Sequence, residues 1–120
     1  MSYDYSLFKA PSNGPMESWP AVEPASLGTW DEVKHMLESR FPGVAWEQFQ
    51  GSWFGRYENA ARSVEFHIMP DGEGAVRFIT MRRTDVREVE NLCNDLDIVA
   101  VDPQKMQLYS PLTRRWGRAA

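Results

Sequence analysis

Few side chains in this 120-residue chain have the types and spacing that do chemistry. There are two histidines, His35 and His67, and one cysteine, Cys93. A nucleophile needs a base within hydrogen-bond reach, and a metal ion needs three or four converging ligands. The two histidines lie far apart in sequence, and neither sits in a metal-binding motif. His67 shares a strand face with Glu65, so that pair could tune a pKa; a half-exposed structural histidine is the more ordinary reading. Cys93 falls on the apolar stripe of a helix, where a thiol is inert. The turn Pro70-Asp71-Gly72-Glu73-Gly74 carries two acids and leads into a strand. It therefore lacks the helix-terminal N–H groups of a phosphate cradle and the oxygen ligands of a calcium loop. No spacing singles out a glycosidase-like pair of carboxylates. The residues predict no enzyme, no metal site and no cofactor.

The elements that must position these residues are organised around Ser63 to Met81. Val64, Phe66 and Ile68 alternate with Glu65, His67 and Met69, the mark of a strand with one buried face. After the turn at 70–74, the run Ala75 to Met81 alternates again, with Val76 and Phe78 on one face and Ile79 and Met81 on the other. Together they predict an antiparallel hairpin at the centre of a sheet. Before it, Tyr3 to Phe8 reads as a strand that ties down the terminus. Residues 10–28 hold Pro11, Pro15, Pro20 and Pro24 and read as a long surface loop, in which Trp19 either pins the loop to the core, the more ordinary reading, or faces a partner.

Thr29 to Phe41 is the clearest helix. Thr29 precedes Glu32 by three, a capping-box pattern, and Trp30, Val33, Leu37 and Phe41 form one apolar stripe with Met36 beside it. Asp31, Glu32 and Glu38 lie outside that stripe. Val44 to Tyr57 reads as two strand pieces joined at Gln50-Gly51-Ser52, with Gly51 and Gly55 marking a bend, a bulge or a close backbone approach. The aromatic density here exceeds what one strand face buries, so some of Trp46, Trp53, Phe54 and Tyr57 are expected at the surface. A second helix spans Thr84 to Asp97, capped at Asp85, with Val86, Val89, Leu92, Cys93 and Leu96 inward. Strands at 98–101 and 106–109 follow, joined by a turn at 102–105, and the tail from about residue 111 is expected to fray.

The expectation is one α+β domain over residues 1–120, a mainly antiparallel sheet with two helices packed on one face, in the order β-α-β-β-β-β-α-β-β. Apolar residues make up 42 % of the chain, enough for a core without staples. The net charge is −4, which argues against direct nucleic-acid binding. Residues 1–60 hold eight acids and four bases, while residues 61–120 hold nine of each, so an acidic docking face is expected to draw on the first half. A single cysteine permits no intramolecular disulfide. No signal-peptide pattern opens the chain, and no apolar run approaches the roughly 20 residues of a membrane span. A cytoplasmic protein with no membrane contact is expected.

Three features sit together: Ser2-Tyr3-Asp4 opening an alternating strand, a helix ending Phe41-Pro42-Gly43 after a proline-rich stretch, and a Cys93-bearing helix leading to Asp102-Pro103-Gln104. This layout resembles small immunity proteins of bacterial polymorphic-toxin and contact-dependent growth-inhibition systems. The resemblance implies a cytosolic protein that binds one cognate toxin C-terminal domain and blocks its active site or substrate entry. Many such toxins are nucleases with basic surfaces, which an acidic inhibitor would match. On that reading the contact surface comprises the helix acids Asp31, Glu32 and Glu38, the aromatics Trp46, Trp53 and Tyr57, and the turn acids Asp71 and Glu73. A small-ligand or regulatory domain using a cleft beside Trp53 and His67 is the alternative.

Overall fold

A computed structural model of the chain describes residues 4–10 and 24–118. The expectations for Tyr3 and for residues 11–23 of the proline-rich stretch, Trp19 among them, lie outside these residues. The end of that stretch is tied down by the Lys9–Ala25 bridge and by the Leu27 N–H, which donates to the Val76 carbonyl. In chain order the elements are β1 (Tyr5–Phe8), β2 (Gly28–Thr29), α1 (Trp30–Arg40), β3 (Ala45–Phe49), β4 (Ser52–Glu58) and β5 (Ser63–Ile68). β6 (Ala75–Val76), β7 (Phe78–Arg82), α2 (Val86–Leu96), β8 (Val99–Asp102), β9 (Gln107–Ser110) and β10 (Arg115–Arg118) complete them. Eight strands form one sheet in the order β10-β9-β8-β1-β7-β5-β4-β3, and β2 pairs with β6 separately. Every pairing is antiparallel. This is the expected α+β class, with β5 and β7 paired near the centre of the sheet. No helix among the described residues is long and apolar enough to cross a membrane.

Both helices cover the same face. Val33, Leu37 and Phe41 from the first, and Val89, Leu92 and Cys93 from the second, join one buried cluster with Tyr5, Leu7, Val64, Phe66, Ile68, Ile79 and Met81. The start of α1 is set locally. Thr29 Oγ1 accepts from the Glu32 N–H at 3.3 Å, and Glu32 Oε1 accepts from the Thr29 N–H at 2.9 Å, which closes the capping box. At α2, Asp85 Oδ1 accepts from the Arg87 N–H at 2.8 Å, and the chain leaves the helix through Asp97 in a left-handed conformation. Val86, expected inward, is exposed at the first helical position.

Three expectations are corrected. The run Ala75 to Met81 is not one strand. Arg77 interrupts it, with Nη1 donating to the Pro24 carbonyl at 2.6 Å and Nε lying 3.4 Å from Asp71 Oδ2. The break shifts the phase, so Val76 and Ile79 are both buried while Phe78 is exposed. The turn at 70–74 therefore does not join β5 tightly to β7. It leads into β6, which pairs with β2 in front of α1. Finally, the tail does not fray at 115–118. It returns as β10, because the Trp116 ring packs 5.7 Å from Tyr5 and 5.4 Å from Tyr109, and its Nε1 donates to Glu90 Oε2 at 2.7 Å.

Between β3 and β4 the turn is Gln50-Gly51, both with positive φ, the two-residue type that matches strand twist. Gly55 has a different role. A Cβ there would meet the Trp46 ring at 2.5 Å, so the glycine lets the indole lie against the strand backbone. Trp30 at the head of α1 then meets Trp46 edge-on at 5.0 Å and stacks on Trp53 at 5.0 Å. Gly55→Ala should cost about 1–3 kcal/mol in urea unfolding, as overpacking does. Gly117→Ala, with open space at its Cβ, should stay within about 0.5 kcal/mol of the parent. Equal stability of the two variants would contradict this role for Gly55.

Candidate functional site

The sheet separates two surfaces of different chemistry. On the helical side, Trp30 N–H donates to the Gly74 carbonyl at 3.1 Å, and Thr29 pairs with Ala75. These bonds hold the 71–74 turn beside the first turn of α1. Asp31, Glu32, Asp71 and Glu73 are thereby brought to one end of the molecule. Glu38 lies farther along α1, about 10 Å from Asp31 at 1.5 Å per residue.

Two of these acids have structural duties. Glu32 is held below the usual carboxylate range, first by the Thr29 backbone N–H and then by the Thr29 hydroxyl. Asp71 is lowered by the backbone N–H groups of Ala75 and Glu73, with Arg77 adding to the effect. Asp31, Glu38 and Glu73 make no side-chain hydrogen bond or ion pair among the described residues.

The aromatics Trp46, Trp53 and Tyr57 project to the helix-covered face and are half-buried. Tyr57 packs on Phe41 at 5.4 Å, and the Arg62 guanidinium lies 4.7 Å over the Phe41 ring. Arg62 Nε also pairs with Glu88 Oε1 at 2.7 Å, and Arg40 with Asp95 at 2.7 Å. The first pair ties the β4–β5 loop to α2, and the second ties α1 to α2.

Charge is divided between the layers. Residues 24–43, 70–77 and 85–98, which form the helices and the segments leading into them, hold ten acids and four bases, a net of −6. The remaining described residues, mostly the sheet, hold five acids and nine bases, a net of +4. The helical layer thus concentrates far more negative charge than the whole-chain value of −4 indicates.

The other face of the sheet carries a ladder that sequence reasoning missed. Arg56, Glu65, Arg82 and Asp4 lie side by side on neighbouring strands. Arg56 is 3.5 Å from Glu65, Arg83 is 3.2 Å from Glu65, and Arg82 is 3.7 Å from Asp4. The signal was residue parity, which becomes readable only when strand order and register are known. Next to the ladder, His67 stacks on Phe54 at 4.6 Å. A groove of about 560 Å³ runs here, lined by Glu47, Phe54, Arg56, Glu65 and Arg82 among others. Phe49, Met69 and Phe78 are exposed nearby. Farther along, Phe8, Val99 and Leu108 form a small second core.

Trp53 and His67 do not share a cleft. Trp53 stacks on Trp30 under the helix, whereas His67 faces the other way onto Phe54. His35, exposed on α1, and His67 are likewise on opposite sides of the sheet. No group of three or more metal-ligating side chains occurs among the described residues. Burial, with a smaller contribution from Glu90, pushes the Cys93 thiol up to about 12.

No family model, curated protein or solved structure matches the chain.

Two outcomes follow from these environments. Cys93 should resist a thiol reagent at pH 8 in the native state and react fully once unfolded, because the thiolate is the nucleophile. Rapid native labelling would contradict its placement. His67 is shifted below its ordinary value by burial and then by Arg82. Its neutral form is therefore favoured by folding. The stability it contributes is complete above the unfolded value near 6.5 and is lost as pH falls toward the folded value. His67→Gln should flatten that part of the acid limb in denaturation curves. An unchanged limb would remove His67 as its source.

Proposed function

We propose that this protein neutralises a cognate toxin domain by one-to-one binding, with the acidic helical layer docked on a basic surface of the toxin. The reading takes its partner class from the resemblance to immunity proteins. The observation that carries it is the net −6 of the helical layer, where Asp31, Glu38 and Glu73 have no neutralising partner among the described residues. A concentrated negative surface raises the encounter rate with a cation-rich partner and orients the approach. Occlusion then needs no reactive side chain on the inhibitor. A nuclease fits as the toxin, because its phosphate-binding cleft is basic.

The aromatics contribute less to the contact surface than the acids do. Trp46, Trp53 and Tyr57 support α1 from beneath, and the half of each that stays accessible lies at the margin of the acidic layer. Glu32 and Asp71 contribute charge while holding the helix start and the turn.

A small-ligand reading draws on the groove over Phe54, Arg56 and Arg82 on the opposite face, whose volume is in the range of ligand sites. A metabolite that raises the melting temperature of the parent but not of Arg56→Ala would favour it.

Reversing Asp31, Glu38 and Glu73 together to lysine tests the toxin reading and leaves the capping box and the Asp71 turn intact. Association with the toxin domain encoded upstream should slow by about tenfold or more at low ionic strength, and its salt dependence should flatten. Unchanged association kinetics would remove the helical layer from the contact surface.

A further inference from the structure

β3 is one of the two edge strands of the eight-stranded sheet, and four of its five residues, Ala45, Glu47, Gln48 and Phe49, are exposed. Phe49 sits opposite Ser52 across the two-residue turn. In an antiparallel ladder closed this way, Phe49, Glu47 and Ala45 direct their N–H and C=O groups to β4. Trp46 and Gln48 therefore direct theirs away from the sheet. Such an edge is a template for a further strand unless a proline, a bulge, a cover or a charge prevents it. β3 contains no proline and pairs with β4 residue for residue, without a bulge. Its one charge is Glu47, which makes no ion pair among the described residues.

The position of that charge is specific. An antiparallel strand added to this edge would hydrogen-bond to Trp46 and Gln48 and place a residue opposite Glu47 at a non-hydrogen-bonded site. Cα atoms there are about 4.5 Å apart and the side chains are closest. Like charges directly opposed destabilise a pair and opposite charges stabilise it. A second copy in the register centred on Glu47, which overlaps β3 most fully, sets Glu47 against Glu47. An incoming strand with lysine or arginine at that place gains an ion pair instead. The edge also adjoins the acidic layer, since the Trp46 ring touches Trp30, the residue before Asp31.

We propose that β3 is a charge-selected strand acceptor. It takes an extended segment of a protein partner with a basic residue opposite Glu47, and it rejects a second copy of this chain. The basic character of the partner rests on the toxin-binding reading. Strand acceptance itself can be tested without the toxin, so the two can fail separately.

The probe is the protein itself with Glu47→Lys, which supplies a β3 of identical shape and opposite charge. In sedimentation experiments, the parent alone and the variant alone should each behave as a 13.8 kDa monomer. An equimolar mixture should form a one-to-one complex with Kd of about 1 mM or tighter, the strength expected of a few edge hydrogen bonds plus one ion pair. Adding Gln48→Pro to the variant should abolish the complex, because it removes an outward N–H and leaves the β3–β4 ladder in place. Glu47→Arg serves as the probe if the lysine variant does not fold. A mixture that stays monomeric would overturn the proposal. So would a parent that pairs as readily as the mixture, or a complex indifferent to Gln48→Pro.

Discussion

The contact on which the rest of the structure depends is the Trp46 indole lying against Gly55. Any side chain at residue 55 would occupy the space of that ring. With the indole in place, Trp30 has a surface to meet edge-on and Trp53 a partner to stack with, so the head of α1 is fixed over β3 and β4. The remaining stripe of the helix then follows. Val33, Leu37 and Phe41 enter the core, and Phe41 meets Phe66 at 5.1 Å. Each buried aromatic of this kind contributes about 1.5–3 kcal/mol by removal from water. That is large beside the surface ion pairs Arg40–Asp95 and Arg62–Glu88, which contribute about 1 kcal/mol or less each.

Fixing α1 in this way also fixes what it presents outward. The stripe that packs on the sheet is apolar, so the acids of the helix point to solvent. The β2–β6 pair then brings the acidic 71–74 turn to the same end. The interhelical pair Arg40–Asp95 and the loop-to-helix pair Arg62–Glu88 lie along the flanks and leave Asp31, Glu38 and Glu73 without a counter-charge among the described residues. Packing gathers the acids of this layer from both halves of the chain, three from residues 1–60 and seven from residues 61–120, although the first half was expected to dominate. The sheet side, with its arginine-rich ladder, is the opposite pole. A molecule polarised in this way has a preferred orientation in the field of a charged partner.

Local rules made much of this legible in the sequence. The Thr29–Glu32 spacing marked the start of α1, because a capping box involves only residues within one turn. The alternation at 63–68 gave β5 and its buried face. Gly55 was readable as a bend, a bulge or a close approach, but which of these it is, and the ring that approaches it, were not, since nothing local links residue 46 to residue 55 before the register is known. The phase break at Arg77 was half legible. The adjacent apolar pair Phe78-Ile79 marks a change of phase in the sequence, whereas the long-range partner that holds Arg77, the Pro24 carbonyl, does not show there. β10 was missed because a short basic segment with two arginines before a tryptophan has weak strand propensity; the contacts of Trp116 with Tyr5, Tyr109 and Glu90 decide the matter. The two histidines and Cys93 were placed on separate elements, but that His35 and His67 lie on opposite sides of the sheet became readable only with the strand register.

The central claim is that the helical layer exists to bind a basic protein partner tightly. The direct measurement is calorimetric titration of the protein with the C-terminal domain of the protein encoded immediately upstream, at low and at moderate salt. The account predicts one-to-one binding with Kd in the nanomolar range or below, about −12 kcal/mol or better, and a clear loss of affinity as salt rises. Absence of heat and of a complex at both salt concentrations, with both components folded, would contradict it.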